Sequence, residues 1–598
     1  MSEGKVEVPL PAVPRVPRTW RVREPKIDVP ALAAALGTSE VLASLLAARG
    51  VDEPEAGREW LEGSLKDLPD PRDLIDMDAA VDRLLRAVRD QELICIHGDY
   101  DVDGCTSTVV LVNFLESIGA NVTWYAPHRL RDGYGVQVHT MERLATEGVK
   151  VVVTCDNGVS AHEPIAVGNR LGIDTVVVDH HKLPPELPEA AAILNPKRDG
   201  EGNPHEQLAA VGVAFMLAIA MRSRLRDQGA FKDRPEPDLR PYLDVVALGT
   251  VADLAPLRGV NRILVSAGLR RMQRRERPGM RTLLKVSGVN PDEPIRASHL
   301  GFRLGPRINA AGRIDESARA VRLLLSPDDD AAFPEATELD AFNRKRQEME
   351  RETMADVLRA AAEAGDFAKR RGLVLWSEAW HPGVVGIVAS RVVHHFHRPA
   401  LVLAVKPDQG VATGSGRAIA GVDLFAELRG CAHLLERFGG HRAAAGMTVS
   451  IDNLEALRTY FSEEAFGDVE EDAWTPRLSI DRTIALEEVN WELFDELSRL
   501  RPFGLGNPEP VFTATGLEAF GVKTLKKGGI RMVLRGPASN GIPAVGFGMG
   551  LLPEDLEGPL EAVFTIQENV WQGRSKLELR LRDVRREAKK TGDFNELT

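Results

Sequence analysis

From about Glu92 the chain alternates short apolar runs with stretches of helical period. ELICIHG, NVTWYAP, VKVVVTCD, IDTVVVDHH and AAILNP read as short buried strands. That rhythm predicts an α/β fold built on a parallel, doubly wound sheet. Such sheets bind ligands at the carboxyl ends of their strands. Four of the five runs finish at or beside Asp, His or Asn, the residue types that do chemistry.

The pattern changes after the sheet. EATELDAFNRKRQEMERETMADVLRAAAEA is charged and free of Gly and Pro until Gly365, which predicts one long connecting helix over 335–365. GLVLWSEAWHPGVVGIVASR and PALVLAV then open a second α/β unit over 366–468. From Trp474 the alternating stretches VFTATGLEAFGV, GIRMVLRG, IPAVGFGM, LEAVFTIQENVW and SKLELRLRDVR predict a small antiparallel barrel, within a domain spanning 469–590. Residues 21–334 make the first domain, and 1–20 are expected to be a disordered Pro-rich lead-in.

Composition fits this layout. A chain of 598 residues is too long for one core. No apolar run approaches the roughly 20 residues of a membrane helix, and MSEGKVEVPLPAVPRVPRTW is not a signal peptide. Cys95, Cys105, Cys155 and Cys431 are scattered, without a C-x-x-C pair. This argues against a disulfide framework or a structural zinc site and predicts a cytoplasmic protein without membrane contact. The net charge of −13 counts against nucleic-acid binding until the distribution is considered. Arginines crowd two stretches, Arg262 to Arg281 and Arg296 to Arg322, and present a candidate phosphate-facing surface.

The chemistry gathers where the strands end. ELICI runs into His97-Gly-Asp99-Tyr-Asp101-Val-Asp103-Gly104. Three carboxylates at alternate positions repel unless cations neutralise them. VKVVVTC leads into Asp156, IDTVVV into Asp179-His180-His181, and the apolar run VVALGTVA into Asp253. In a parallel sheet those ends share one edge. The set predicts a two-metal hydrolytic site for hard divalent ions, Mn²⁺ or Mg²⁺. LGPRINAAGR places Arg307, Asn309 and Arg313 in a Gly-bounded loop suited to gripping phosphate.

HGDYDVDG, CDNG, VDHH and GTVAD resemble the four motifs of the DHH phosphoesterase superfamily. Segments such as WLEGSLKDLPDP, LGTVADLAPL, WHPGVVGIVASR, RFGGHRAAAG and PFGLGNPEP narrow the resemblance to the RecJ family of bacterial single-strand-specific exonucleases, from about Trp20 to Val584. The resemblance implies a DHH catalytic domain, a DHH-associated domain and a terminal OB-fold. It implies 5′→3′ degradation of single-stranded DNA to nucleoside 5′-monophosphates, in DNA repair and recombination. Asp101, Asp103, Asp156, His180 and Asp253 match its metal ligands, with Asp156 bridging two ions. His97 and Asp99 share the first motif, as ligands or behind the ligands. His181 is expected to orient the site or assist protonation of the leaving oxygen.

The same resemblance puts the 5′ end of the strand on Ser415, Arg417, Gly440 and His441, and base and phosphate contacts on Arg129 and Tyr134. Trp571, Arg574 and Lys576 are candidate contacts on the barrel. Single-strand-binding protein and a RecQ-type helicase are the implied partners of a monomeric enzyme. Two rivals are a DHH phosphodiesterase of short oligonucleotides or cyclic dinucleotides, and a DNA-binding scaffold without catalysis. The segment after Asp468 argues against the first, and the intact acidic and imidazole set against the second.

Overall fold

All five apolar runs are strands, and they pair in parallel in the order Val122–Tyr125, Leu93–His97, Val149–Cys155, Asp174–Val178, Ala192–Leu194. The structure is a computed structural model and describes residues 16–128, 132–133, 135–200, 202–314, 317–364, 367–525, 528–571 and 573–587. Alternate strand residues face different layers. Ile94, Ile96, Val151 and Val153 join a core with the helices Val102–Ser117 and Ala210–Asp227. Cys95 and Val152 join Met141 and Leu144 of the helix Val138–Thr146 on the other face. Burial on both faces is why these strands read as continuous apolar runs. The chain leaves Leu93–His97 toward one edge and later returns on its other side at Val149–Cys155. This order reversal is the switch point where doubly wound sheets open a crevice.

The described residues fall into two units, Pro25–Asn343 with Trp491–Pro510, and Met1–Glu24 with Arg344–Asn490 and Val511–Thr598. The first takes a piece of sequence from within the predicted barrel domain. Buried Arg49 donates to Asn507 Oδ1 at 2.7 Å and Pro508 O at 2.6 Å, and buried Arg262 donates to Leu500 O at 2.8 Å and Arg499 O at 3.0 Å. In the second unit Thr19–Val22 pairs in parallel with Arg477–Ile480, so the end of the predicted 1–20 lead-in is ordered strand. Residues 1–15 lie outside the described residues.

Three local expectations change. VVALGTVA lies in a helix, Leu243–Ala252, and is not a strand. Every residue from Leu243 to Val251 is buried, so the run shows no amphipathic period that could tell helix from strand. LGPRINAAGR is no loop; Gly305–Ile314 is helical. Its glycines serve close packing, because a Cβ on Gly312 would lie 2.3 Å from Tyr100 O. The long helix spans 36 residues, Asp329–Ala364, and begins before the predicted Glu335 with Pro334 inside it.

The second α/β unit is a mixed sheet in the order Leu435–His441, Ala444–Ser450, Val411–Arg417, Ala400–Lys406, Leu373–Ser377. The terminal barrel closes through Phe512–Leu525, Gly529–Arg535, Ile542–Phe547, Arg574–Arg586, Leu560–Trp571 and back to Phe512–Leu525. It is not wholly antiparallel, since Ile542–Phe547 and Arg574–Arg586 run parallel. Among the described residues no single helix is long and apolar enough to cross a membrane.

Candidate metal centre

The turn after Leu93–His97 closes only because its glycines lack side chains. A Cβ on Gly98 would lie 2.4 Å from Thr108 Oγ1, and one on Gly104 would lie 2.4 Å from Asp99 N. Asp101 caps the helix Val102–Ser117, accepting from Gly104 N at 3.1 Å. Asp103, one residue into that helix, is completely buried. Its carboxylate accepts from Ala210 N at 2.7 Å and Val211 N at 2.9 Å, the first turn of the helix Ala210–Asp227. Two main-chain donors and a positive helix end therefore fix its orientation.

Asp156 follows Val149–Cys155 in the left-handed conformation, at φ 63°. Such strain in a non-glycine residue persists where the surroundings over-determine it, commonly at functional sites. Asp179 stands behind the next strand end. It accepts from Val159 N at 3.0 Å, His180 N at 2.8 Å, His181 N at 3.1 Å and His181 Nδ1 at 2.7 Å. The motif reading gave Asp179 no role, although it lies inside VDHH; it clamps both histidines. Asn157 likewise ties two strand ends, donating to Gly98 O at 3.2 Å and Cys155 O at 2.8 Å. Asp253 arrives from the end of Leu243–Ala252.

These side chains converge. His180 Nε2 lies 3.2 Å from Asp156 Oδ1, 3.6 Å from Asp253 Oδ2 and 3.8 Å from Asp103 Oδ2. Candidate donor atoms form three groups, each within 4.8 Å: Asp156, His180 and His181; Asp103, His180 and Asp253; Asp99, Asp101 and Asp156. The groups overlap at Asp156 and His180, as a pair of ions sharing ligands requires. His97 belongs to none of them, and His181, expected to serve outside the ligand set, belongs to one.

Burial, then the charge of Asp253, pushes the Asp103 carboxyl up to about 7. Burial and Asp101 do the same to Asp253, also to about 7. Asp156 is driven well above the carboxylate range by burial and by Asp101 and Asp103. Burial opposes the His181 imidazolium, yet the hydrogen bond and charge of Asp179 outweigh it and raise its pKa. Burial lowers His97 to about 4, so that imidazole is neutral. Asp156 Oδ1 is buried and makes no hydrogen bond of good geometry; its nearest polar neighbour is His180 Nε2 at 3.2 Å. Buried lone pairs without partners need explaining. Carboxylate oxygens with imidazole, mutually repelling and incompletely bonded, fit hard divalent cations.

The predicted DNA contacts divide differently. Arg129, Tyr134 and the side chains of Arg313 and Trp571 lie outside the described residues. Arg307 pairs with Asp340 at 2.9 Å, and Asn309 Oδ1 accepts from Val102 N at 3.2 Å. Both therefore join helices, and neither sits in a loop. The arginine-rich stretches are similarly engaged: Arg271 pairs with Glu276, Arg277 with Asp244, Arg281 with Asp329, and Arg319 and Arg322 with Glu335. In the other unit, strand register puts Arg417 and His441 on either side of Ala444, with Ser415 opposite Gly446 and Gly440 opposite Ala445. Half-buried Arg417 donates to Ser415 Oγ at 2.6 Å, and burial lowers its pKa.

Comparison with known proteins matches the chain to "DHH family, N-terminal domain" over residues 93–250, "DHHA1 domain" over 370–465 and "RecJ OB domain" over 480–583. The single-stranded-DNA-specific exonuclease RecJ of Bacillus subtilis is 36% identical over 575 residues, 94% of this chain and 70% of that protein. Its namesake from Salmonella typhimurium is 36% identical over 91% of this chain and 95% of that protein. The crystal structure of RecJ in complex with Mn²⁺ from Thermus thermophilus has a TM-score of 0.80 at 29% identity, covering 95% of this chain and 80% of that one. Three domain matches in order, with relatives this similar along most of their length, establish that the chain belongs to the RecJ family.

Proposed function

We propose that this protein is a metal-dependent exonuclease that degrades single-stranded DNA from the 5′ end and releases nucleoside 5′-monophosphates. The observation that carries the reading is the overlap of the three donor groups at Asp156 and His180. Asp99, Asp101, Asp103, Asp156, His180 and Asp253 would hold two divalent ions of the Mn²⁺ or Mg²⁺ kind. When bound, those ions supply charge neutralisation and acidify water at neutral pH. The chain's own part is positioning. Asp179 fixes His181 through Nδ1, leaving Nε2 to pass a proton to the leaving oxygen. The helix start at Ala210 and Val211 keeps Asp103 in place.

Polarity is assigned to Ser415, Arg417, Gly440 and His441. Arg417 is half-buried with no carboxylate partner among the described residues, and a Cβ on Gly386, in the first turn of the helix Val385–Phe396, would lie 3.3 Å from both its Nη2 and Ser415 Oγ. A guanidinium without a carboxylate counter-charge at a helix start suits a terminal phosphate. Single-strand-binding protein and a RecQ-type helicase as partners and a monomeric state complete the proposal on family resemblance, and a cytoplasmic location on the scattered cysteines.

The test incubates the protein and Mn²⁺ with 5′- and 3′-labelled single- and double-stranded oligonucleotides. Mononucleotides released from the 5′ side of single strands are expected; attack on duplex or from the 3′ end refutes the reading. Arg417→Ala should impair cleavage of 5′-phosphorylated strands more than of 5′-hydroxyl strands. Equal loss on both would remove the terminal phosphate from this pocket.

A further inference from the structure

The helix Leu243–Ala252 delivers Asp253 and then ends in a Schellman turn. Leu254 N donates to Val251 O at 3.3 Å and Ala255 N to Thr250 O at 3.2 Å. The residue after the C-cap of that motif must be left-handed, and glycine is its usual occupant. Here it is Leu254, at φ 61°. A residue with a side chain loses roughly 1–2 kcal/mol in that conformation. Packing returns little of this, because Leu254 is 68% exposed. Its neighbour Asp253 meanwhile reaches to 3.6 Å from His180.

A second exposed leucine stands close by in the same unit. Leu505 is 58% exposed, between Gly504 and Gly506 of PFGLGNPEP, a motif to which the metal centre gives no task. Its loop is held firmly. Leu257 N donates to Leu505 O at 2.7 Å, Arg258 Nε to Gly506 O at 2.8 Å, and Asn507 Nδ2 to Leu500 O at 2.7 Å and Pro502 O at 2.8 Å. Folding gains nothing from a strained leucine in water, nor from a leucine at the tip of a rigid loop. A strained residue that its surroundings hold in place points to a functional role, and Leu254 and Leu505 together offer apolar surface there.

The ligand follows from the neighbourhood. A phosphodiester at the metal centre carries a nucleoside on either side, and in a single strand the faces of those bases are open. In duplex they are covered by stacked neighbours. We infer that Leu254, supported by Leu505, forms an apolar ledge for an unpaired base next to the scissile phosphate, and so helps the enzyme choose single strands. The inference rests on the nuclease reading proposed above.

The experiment uses the full chain with Mn²⁺. Leu254→Gly suits the turn, so its melting temperature should not fall. Its kcat/KM on ordinary single strands should drop about tenfold or more, the scale of one leucine's buried surface. Leu254→Met should restore most of the loss. Strands with one abasic site, placed in turn at each of the first four positions from the 5′ end, identify the base. At one position the wild type should lose a similar factor and Leu254→Gly should lose little more. Unchanged kcat/KM for Leu254→Gly overturns the ledge, as does a loss that adds fully to the abasic loss at every position. A wild type that cleaves no single strand sinks the nuclease reading itself.

Discussion

At the residue scale, the centre is a set of carboxyl groups that folding places where they do not want to be ionised. Asp156 is central, because it belongs to two of the three donor groups. Asp156→Asn should reduce hydrolysis to background while single strands still bind, measured by product release and by binding in Ca²⁺. Turnover near wild type would remove Asp156 from the site. The same carboxyls set a pH dependence. A carboxyl whose pKa is raised by folding keeps its proton in the native state after the unfolded chain has lost it. For Asp103 and Asp253 that interval runs from the ordinary 3.8 to about 7. The native state binds more protons there, so their contribution to metal-free stability declines as pH rises through it. Mn²⁺ favours the ionised forms, so the rise in melting temperature on adding saturating Mn²⁺ should grow between pH 5 and pH 7.5. A pH-independent rise would contradict this.

At the element scale, helix ends and close approaches do the positioning. The helix Ala210–Asp227 starts on Asp103, and the helix Leu243–Ala252 finishes on Asp253. Between them sits Gly249, where a Cβ would lie 2.2 Å from Thr106 Oγ1, 2.8 Å from Val211 Cγ1 and 3.2 Å from Asp103 Oδ1. Glycine inside a helix weakens it by roughly 1 kcal/mol relative to alanine, and here close packing requires it. Gly249→Ala should destabilise by about 1–3 kcal/mol through overpacking. It should also weaken Mn²⁺ dependence, raising the half-saturating ion concentration in hydrolysis assays. Gly439→Ala, which meets nothing within 4 Å, is the control with little effect on melting or on the half-saturating concentration. Equal behaviour of the two variants would refute the packing argument.

At the scale of the whole molecule, sequence order and spatial grouping part company. Trp491–Pro510 packs with the catalytic unit although it lies within the sequence span predicted for the barrel domain. A chain ending at Asp468 would strip Arg49 of Asn507 and Pro508, and Arg262 of Arg499 and Leu500. Each of these four hydrogen bonds to a charged group contributes about 1.5–3 kcal/mol. That truncation is expected to melt far below wild type, whereas one ending at Pro510 should keep the catalytic unit's melting temperature and activity on short oligonucleotides. On long strands it should show a raised KM with a smaller change in kcat, because the barrel is gone. If the two truncations melt alike, the segment does not stabilise the catalytic unit.

The sequence by itself determined the parallel sheet, since valine-rich runs buried on both faces have few other homes, and it determined which strand ends carry Asp and His. It also marked the long helix, the second α/β unit and the barrel. It could not decide VVALGTVA, because a helix buried all round loses the period that distinguishes it from a strand. Nor could it decide LGPRINAAGR, whose glycines suggest flexibility until Tyr100 O is found 2.3 Å from where a Cβ would stand. Several arginines of the two basic stretches pair with acids that the sequence does not place beside them: Asp244, Asp329, Asp340 and Glu335 are distant in sequence or lie on other elements. Tertiary structure alone decided that Asp179 clamps both histidines, that a helix start holds Asp103, and that a leucine occupies a glycine's turn beside Asp253. The hold on Asp103 depends on groups that only the fold brings within hydrogen-bonding distance, while the Asp179 clamp and the Leu254 turn are made by sequence neighbours whose backbone conformation spacing along the chain does not record.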